Sequence, residues 1–159
     1  MNETHVDSVE FVESQSNLSR WPIKDYRLAI HDERSICLVV EGCPDSKTIL
    51  GFAVAKIVWD GDFKTLGEAE IYNIAVDQNF RRKGIGGYLL RETTNLMNKQ
   101  QIGKVWLEVR KSNKRAFSFY QEFGFDARYE RSGYYSEPYE NAVVMCLEIG
   151  RHQKTCQSP

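Results

Sequence analysis

The stretch that most constrains this chain of 159 residues runs from Glu70 to Met97. Its first part, Ile71–Val76, is a short run rich in β-branched residues, which predicts a strand. Residues 81–87 then read Arg-Arg-Lys-Gly-Ile-Gly-Gly, a basic and glycine-rich turn. Apolar residues at helical spacing follow it: Leu89, Leu90, Leu96 and Met97. This order predicts an anion-binding site, because glycine lets a ligand approach the backbone and the helix dipole favours negative charge.

The letters of this turn exclude two common phosphate-binding loops. A dinucleotide-binding loop needs Gly-x-Gly-x-x-Gly, and the sixth position counted from Gly84 is Leu89. A Walker A loop ends in Gly-Lys-Ser or Gly-Lys-Thr, which this sequence lacks. What remains is Arg81-x-x-Gly84-x-Gly86 between a strand and an amphipathic helix. On these letters alone, a solvated run of charges before a glycine-rich helix start is the alternative interpretation.

Composition limits the other classes of protein. With 42% hydrophobic residues, the chain has enough apolar mass for one folded core. A net charge of −1 gives no overall basic field that would favour nucleic acid or a membrane surface. The four cysteines form no Cys-x-x-Cys pair and no metal-ligand spacing with a histidine. No signal peptide or spanning segment is visible, so we expect a soluble cytoplasmic protein with reduced thiols and no metal.

Periodicity along the chain predicts a mixed α/β domain over residues 1–150 and a polar, disordered tail over residues 151–159. Helices are predicted over 6–18, 23–30, 86–100 and from Asn113, as N-cap, to Gly124, as C′ residue. Strands are predicted over 36–40, 50–55, 70–76, 104–110, 125–135 and 143–149, with a turn over 42–47 and a loop over 60–62. Because several neighbouring strands form hairpins, we expect a mixed sheet rather than a purely parallel one.

Three blocks of sequence together resemble a known family. Arg-x-x-Gly-x-Gly after a strand that ends Ile-Ala-Val-Asp resembles the acetyl-CoA pyrophosphate loop of the Gcn5-related N-acetyltransferase (GNAT) superfamily. The run Trp-Leu-Glu-Val-Arg-Lys-Ser-Asn at 106–113 and the pattern Ala116-x-x-x-Tyr120-x-x-x-Gly124-Phe125 resemble the RimI-type ribosomal-protein alanine N-acetyltransferases. Those enzymes acetylate the N-terminal amine of a small-subunit ribosomal protein. The resemblance covers residues 6–149 and is densest over 70–149.

The resemblance implies the GNAT acyl-CoA N-acyltransferase fold, an α/β fold that some schemes class as α+β. Its sheet is mixed, mostly antiparallel and flanked by helices. In that superfamily a strand usually precedes the first helix. Here only Met1–His5 precedes the first predicted helix, so we expect that strand to be short or missing.

The resemblance also implies acetyl-CoA as co-substrate. The pyrophosphate would be bound by the loop residues Arg82, Lys83, Gly84, Ile85, Gly86 and Gly87. The strand end formed by Ile74, Ala75 and Val76 would pair with the pantetheine arm, and one of its N–H groups would donate to the thioester oxygen. Asn113 matches a cofactor contact of the family. From the residues alone, Ile74–Val76 is equally an ordinary buried strand end and Asn113 is equally a helix cap.

Two residues match the family's acid–base chemistry. Glu108 is the predicted general base, because a carboxylate partly withdrawn from water suits proton transfer near neutral pH. On pattern alone, a surface glutamate paired with Arg110 on the same strand face is favoured instead. Tyr120 is the predicted general acid for the departing thiolate, and its alternative role is a core aromatic in a helical apolar stripe.

The acceptor is predicted to be the N-terminal α-amine of a protein, with a small-subunit ribosomal protein as the partner that the resemblance suggests. Four aromatic residues are predicted to line a path between residues 21–26 and the last hairpin: Trp21, Tyr72, Tyr134 and Tyr135. Their alternative role is to pack that hairpin. An acetyltransferase for small amines or lysine side chains and a non-catalytic acyl-CoA-binding domain remain as alternatives. We expect a monomer or weak dimer that binds neither nucleic acid nor membrane.

Overall fold

The computed structural model describes residues 1–16, 20–42, 48–62 and 65–149. Most of the turn predicted over 42–47 and the tail predicted over 151–159 lie outside these residues. In the described part of the chain, no helix is both long and apolar enough to span a membrane. The helices are α1 (Val6–Ser14), α2 (Ile23–His31), α3 (Ile85–Lys99) and α4 (Lys114–Phe123). The strands are β1 (Ser35–Glu41), β2 (Ile49–Gly61), β3 (Leu66–Val76), β4 (Ile102–Arg110), β5 (Asp126–Ser136) and β6 (Tyr139–Glu148).

The six strands form one sheet in the order β1-β2-β3-β4-β6-β5. The pairs β1–β2, β4–β6 and β5–β6 are antiparallel. Between β3 and β4 the chain passes through α3, which is the crossover connection that a parallel pair requires. The prediction of a mixed sheet is therefore confirmed.

The predicted elements are present, but several strands extend beyond their predicted ends. β2 continues through the loop predicted at 60–62 as far as Gly61, and β6 begins at Tyr139 rather than at 143. The added residues are mostly exposed or half-buried. They lack the alternation of apolar side chains that marks a strand facing a core.

No strand precedes α1 within residues 1–16, where a single 3₁₀ turn over Glu3–His5 leads directly into the helix. The Met1 ammonium donates a hydrogen bond of 3.1 Å to the carbonyl of Cys37 on β1. The first strand in chain order is therefore β1, and the sequence prediction of a short or missing leading strand agrees with these residues.

The chain divides into two compact units, of which the first comprises Met1–Lys56 and Ile71–Asn95. Side chains from α1, α2 and the strands pack in one apolar cluster: Val6, Val9, Val12, Tyr26, Ala29, Ile49, Phe52, Val54 and Ala75. This cluster also encloses a carboxylate, since Glu13 is only 2% exposed. A buried carboxylate needs donors from the protein, because water no longer solvates it.

Three donors converge on that carboxylate. One oxygen of Glu13 accepts hydrogen bonds from the Tyr26 hydroxyl at 2.6 Å, the Trp21 backbone N–H at 3.0 Å and the Asn73 amide at 3.3 Å. Burial raises the pKa of Glu13, and the bonds from Tyr26 and Trp21 oppose that shift. The network joins α1, the segment before α2, α2 itself and β3 within the first unit.

The second unit comprises Ile57–Glu70 and Leu96–Pro159. On β4 the side chains of Val105, Leu107 and Val109 are buried, as the alternation in the sequence predicts. Helix α4 begins where the Asn113 side chain accepts a 3.1 Å bond from the Ala116 N–H. It ends at Gly124, whose φ of 109° is in the left-handed region. Both predicted helix boundaries are confirmed.

Replacing Tyr26 by phenylalanine tests the buried network of the first unit. The Tyr26→Phe variant leaves Glu13 with two donors in place of three, so we expect the free energy of unfolding to fall by about 1–3 kcal/mol. Urea denaturation of both proteins measures the difference. Tyr88→Phe, at an exposed tyrosine on α3, is the matched control and should remain within about 0.5 kcal/mol of the parent. An equal loss in both variants would contradict this role.

Candidate active site

In the first unit, the loop predicted to bind a pyrophosphate is held from the end of β3. The N–H of the buried Asp77 donates to the carbonyl of Leu50 at 2.9 Å, and its carboxylate accepts the Asn79 N–H at 2.8 Å. The chain then turns through Arg82 and Gly84, which have φ angles of 65° and 81°. Such positive values favour glycine, and arginine rarely adopts them. The loop therefore has a defined backbone turn, and its binding of a pyrophosphate stays a prediction.

The three consecutive basic residues of this loop differ in what they contact. The Arg81 guanidinium donates to the carbonyl of Val76 at 2.9 Å and to the carbonyl of Gln15 at 2.9 Å. Arg81 thereby joins the end of β3 to the segment that follows α1. By contrast, Arg82 and Lys83 are exposed. The positive charge available to an anion at this loop is therefore that of Arg82 and Lys83.

The start of α3 presents backbone donors beside those two cations. The Tyr88 N–H bonds the carbonyl of Gly84 at 2.9 Å. Ile85, Gly86 and Gly87 come before Tyr88 in the helix. Their N–H groups are therefore the donors at a helix start that have no partner within the helix. A Cβ atom added at Gly84 or Gly87 would meet no atom within 4 Å. The loop therefore offers open space, backbone N–H groups and positive charge together, which a phosphate group requires.

The strand end before the loop combines buried and half-buried residues. Ala75 is buried, and Ile74 and Val76 are half-buried. A Cβ atom at Gly51 would lie 2.8 Å from the Ala75 carbonyl oxygen, so only glycine at this position lets β2 approach β3 so closely. The predicted roles of Ile74, Ala75 and Val76 towards a pantetheine arm and a thioester oxygen stay predictions.

In the second unit, Glu108 on β4 is paired with Arg131 on β5. The Glu108 side chain is 12% exposed, and that of Arg131 is 50% exposed. The Tyr134 hydroxyl also interacts with this carboxylate. Burial raises the pKa of Tyr134, and the hydrogen bond to Glu108 raises it further. The alternative pairing with Arg110 is therefore wrong, because residues of β5 reach the carboxylate instead.

Arg110 has different partners, which lie at the tip of the last hairpin. Its side chain is 7% exposed and donates to the carbonyls of Glu137 at 3.0 Å and Pro138 at 3.3 Å. The guanidinium also lies 4.0 Å above the Tyr135 ring and 3.5 Å from the Glu140 carboxylate. Glu140 in turn accepts the Ser112 N–H. These contacts fix the β5–β6 hairpin against the end of β4.

Tyr120, the predicted general acid, lies on α4 and is 8% exposed. Its ring packs against Phe119 and Phe125, with centroids 5.3 and 5.7 Å away. Burial raises the pKa of Tyr120 above its usual value, and the nearby Tyr135 adds to the shift. The phenol is therefore protonated at neutral pH, as a proton donor must be. Both the core packing and the acid role remain compatible with this position.

The other predicted site residues fall into separate groups. The Asn113 side chain is engaged as the cap of α4, and its cofactor contact stays a prediction. The Trp21 and Tyr72 rings lie 5.4 Å apart in the first unit. The Tyr134 and Tyr135 rings meet edge to face at 5.0 Å in the second unit. Burial raises the pKa of Tyr135 to about 12, with the Glu108 charge adding to the shift. The predicted peptide path along these four residues stays a prediction.

Sequence reasoning missed two charged residues beside Glu108. Arg131 is 23 residues further along the chain, so no local spacing connects it with β4. The sequence places Glu70 only at the start of a strand, yet burial and then the Glu108 charge raise the pKa of this carboxyl. Its alternation with buried Ala69 and Ile71 was the signal that could have placed it on the polar face of β3.

The contacts of Arg81 predict that it stabilises the fold, whereas Arg82 does not. Arg81→Met removes two short hydrogen bonds from a charged donor, so we expect the free energy of unfolding to fall by about 1–3 kcal/mol. Arg82→Met is the neighbouring control, and it should change that value by less than about 0.5 kcal/mol because Arg82 is exposed. Urea denaturation measures both. Equal stability of the two variants would contradict the role of Arg81.

Comparison with known proteins agrees with this geometry. The sequence profile of the Acetyltransferase (GNAT) family matches residues 6–125. The chain is 36% identical over 100 residues to the [ribosomal protein bS18]-alanine N-acetyltransferase of Escherichia coli K12, which is 62% of this chain and 63% of that protein. It therefore spans slightly less than two thirds of that relative.

Two further similarities extend over more of the chain. A putative [ribosomal protein bS18]-alanine N-acetyltransferase of Bacillus subtilis is 30% identical over 146 residues, covering 91% of this chain and 89% of that protein. The crystal structure of the ribosomal-protein-S18-alanine N-acetyltransferase from Escherichia coli superposes with a TM-score of 0.80. That superposition has 26% sequence identity and covers 99% of this chain and 96% of the other. The predicted resemblance is confirmed, and the chain belongs to the acetyltransferase (GNAT) family.

Proposed function

We propose that this chain transfers the acetyl group of acetyl-CoA to the N-terminal α-amine of a protein, with a ribosomal protein as the favoured acceptor. The observation that carries the proposal is the environment of Glu108. This carboxylate lies on the polar face of β4, is largely withdrawn from water and is contacted by Arg131 and Tyr134. Family membership and the names of the similar proteins support the reaction and the class of acceptor.

The residues of the loop after β3 fit the phosphate groups of acetyl-CoA. The N–H groups of Ile85, Gly86 and Gly87 would donate to the pyrophosphate, with the positive end of the α3 dipole behind them. The exposed side chains of Arg82 and Lys83 would add positive charge. A backbone N–H of the Ile74–Val76 strand end would donate to the thioester oxygen, where charge develops during the reaction. Bound there, acetyl-CoA supplies the acetyl group as a thioester.

Two side chains would move the protons. The amine nitrogen attacks the thioester carbonyl carbon, so a C–N bond forms and the C–S bond breaks. The proton released by the amine passes to the Glu108 carboxylate. The sulfur that leaves is protonated from the Tyr120 hydroxyl, which carries its proton at neutral pH because burial raises its pKa. Atoms and charges then balance without a metal or a redox partner.

The chemistry of the amine favours a protein N-terminus over a lysine side chain. An α-amine has a pKa near 7.7–8.0, so roughly a tenth of it is neutral at pH 7. A lysine amine near 10.4 is almost wholly charged at the same pH and needs a stronger base. One carboxylate such as Glu108 is therefore better matched to an α-amine.

An acceptor panel tests the proposed function directly. We expect peptides with a free N-terminus, and alanine-first peptides most of all, to release CoA from acetyl-CoA in the presence of this protein. Polyamines and lysine peptides with blocked N-termini should release it at least about tenfold more slowly, given the pKa difference. Thiol detection of CoA follows the reaction. Activity on polyamines or blocked lysine peptides alone would overturn the N-terminal assignment, and binding of acetyl-CoA without turnover would indicate a non-catalytic domain.

Substitution of the two predicted acid–base residues tests the mechanism. Glu108→Gln and Tyr120→Phe should each lower kcat by about 10²–10⁴-fold, which is the usual contribution of a positioned acid or base. Acetyl-CoA affinity, measured by calorimetry, should stay within about twofold of the parent because neither side chain is assigned to the pyrophosphate or to the pantetheine arm.

Matched variants separate chemistry from folding. Glu130→Gln and Tyr129→Phe, on the same strand as Arg131 and exposed, should keep parental turnover. Parental kcat in Glu108→Gln or Tyr120→Phe would remove that residue from the mechanism.

A further inference from the structure

The side chain of Glu70 lies beside Glu108 on the neighbouring strand. On β3, the Glu68 carboxylate accepts bonds from Trp106 Nε1 at 2.8 Å and from Lys104 Nζ at 3.3 Å. These bonds place Glu68 next to Lys104 and Trp106 of β4. Side chains two residues apart share a strand face, so Glu70 is placed beside Trp106 and Glu108 on the same polar face.

The charges of this cluster do not balance. Glu68 is paired with Lys104, and Glu108 is paired with Arg131. Glu70 is half-buried and has no hydrogen bond or ion pair of its own within the residues that the structure covers. Burial raises the pKa of Glu70, the Glu108 charge raises it further, and the Arg131 charge opposes the shift. One more cation would therefore complete the cluster.

We propose that the Glu70 carboxylate binds the acceptor amine while that amine is still a protonated ammonium. The inference deepens the proposed function and rests on it. About nine tenths of an α-amine is ammonium at pH 7, so the acceptor reaches the protein mainly as a cation. Arg131 is paired with Glu108 and acts on Glu70 only through its charge, so Glu70 is the carboxylate of this cluster without an ion pair of its own in the described part of the chain.

The two glutamates would then have different tasks. Glu70 binds the ammonium and holds its nitrogen close to Glu108. The ammonium first loses one proton to solvent, and Glu108 then takes the proton that the neutral amine releases as it attacks. Acetylation turns the amine into a neutral amide, so the attraction to Glu70 ends with the reaction. A half-buried carboxylate facing an amide is less well solvated than one facing an ammonium. Glu70 therefore discriminates between acceptor and product, which favours release of the acetylated peptide.

A binding comparison tests this assignment. A short alanine-first peptide and its N-acetylated form are each titrated calorimetrically into the protein saturated with CoA, which permits no turnover. In Glu70→Gln, the Kd of the free-amine peptide should rise about tenfold or more, because a partly desolvated charge pair is lost. The Kd of the N-acetylated peptide should stay within about twofold. The preference for the free amine is the quantity that Glu70 is expected to control.

Glu68→Gln is the matched control, since Glu68 lies on the same strand face but is already engaged by Lys104 and Trp106. It should leave the ratio of the two affinities unchanged. An equal loss of affinity for both peptides in Glu70→Gln would indicate a structural role and overturn the proposal. Unchanged affinities for both peptides in Glu70→Gln would also overturn the proposal. If kcat fell while both affinities stayed the same, Glu70 would act as a base and not as a binding residue.

The wild-type protein separates this proposal from the proposed function. A wild type that neither binds nor acetylates the alanine-first peptide would count against the N-terminal assignment. The same comparison is then made with a monoamine, butylamine, and its neutral amide, N-butylacetamide. A preference for butylamine that Glu70→Gln abolishes would still support the role of Glu70, and a preference that persists would overturn it.

Discussion

A carboxylate withdrawn from water needs donors from the protein, and several glutamates of this chain meet that need across different elements. Three donors converge on the buried Glu13. Arg131 on β5 pairs with Glu108 on β4, and Ser112 and Arg110 contact Glu140 at the last hairpin. Leaving such a charge unpaired costs several kcal/mol. Each pairing therefore joins elements that are distant in the sequence, and the pairing of Glu108 with Arg131 determines the surroundings of the proposed base.

The hairpin between β5 and β6 links the pairing of buried carboxylates to the proposed acetyl transfer. Arg110 bonds two carbonyls at its tip and lies over the Tyr135 ring. The hairpin also carries Arg131 and Tyr134, which contact the Glu108 carboxylate. The orientation of the proposed base is thus determined by a strand other than its own. A general base must lie within hydrogen-bond reach of its proton, so the rigidity of this hairpin bears directly on the proposed reaction.

Local signals of the sequence predicted most of the fold. Alternation over 104–110 placed Val105, Leu107 and Val109 in the core, and Asn113 and Gly124 bounded α4 as expected. Interactions between distant segments were not predictable in this way. The sequence places Glu108 and Arg110 on one face, which favours pairing, but their actual partners come from β5 and from the hairpin tip. The roles of Glu108 and Tyr120 came from the family resemblance, since spacing alone favours a surface pair and a core aromatic.

The same environment that keeps Tyr120 protonated also limits it as an acid. An ordinary thiol has a pKa near 8.5, below that of a phenol even before burial raises the latter. Complete proton transfer from Tyr120 to the leaving sulfur would then be unfavourable by about 1.4 kcal/mol for each unit of difference. In the proposed reaction the phenol would first stabilise the growing negative charge on the sulfur by a hydrogen bond, and the proton that it gives up as the C–S bond breaks would be replaced from solvent. The proton that the attacking amine would pass to Glu108 would not return to the nitrogen, because the nitrogen loses its basicity as the amide forms. A carboxylate that attracts the ammonium, such as Glu70, would therefore contribute by binding and positioning the acceptor and not by removing its proton, because its charge favours the ammonium over the neutral amine.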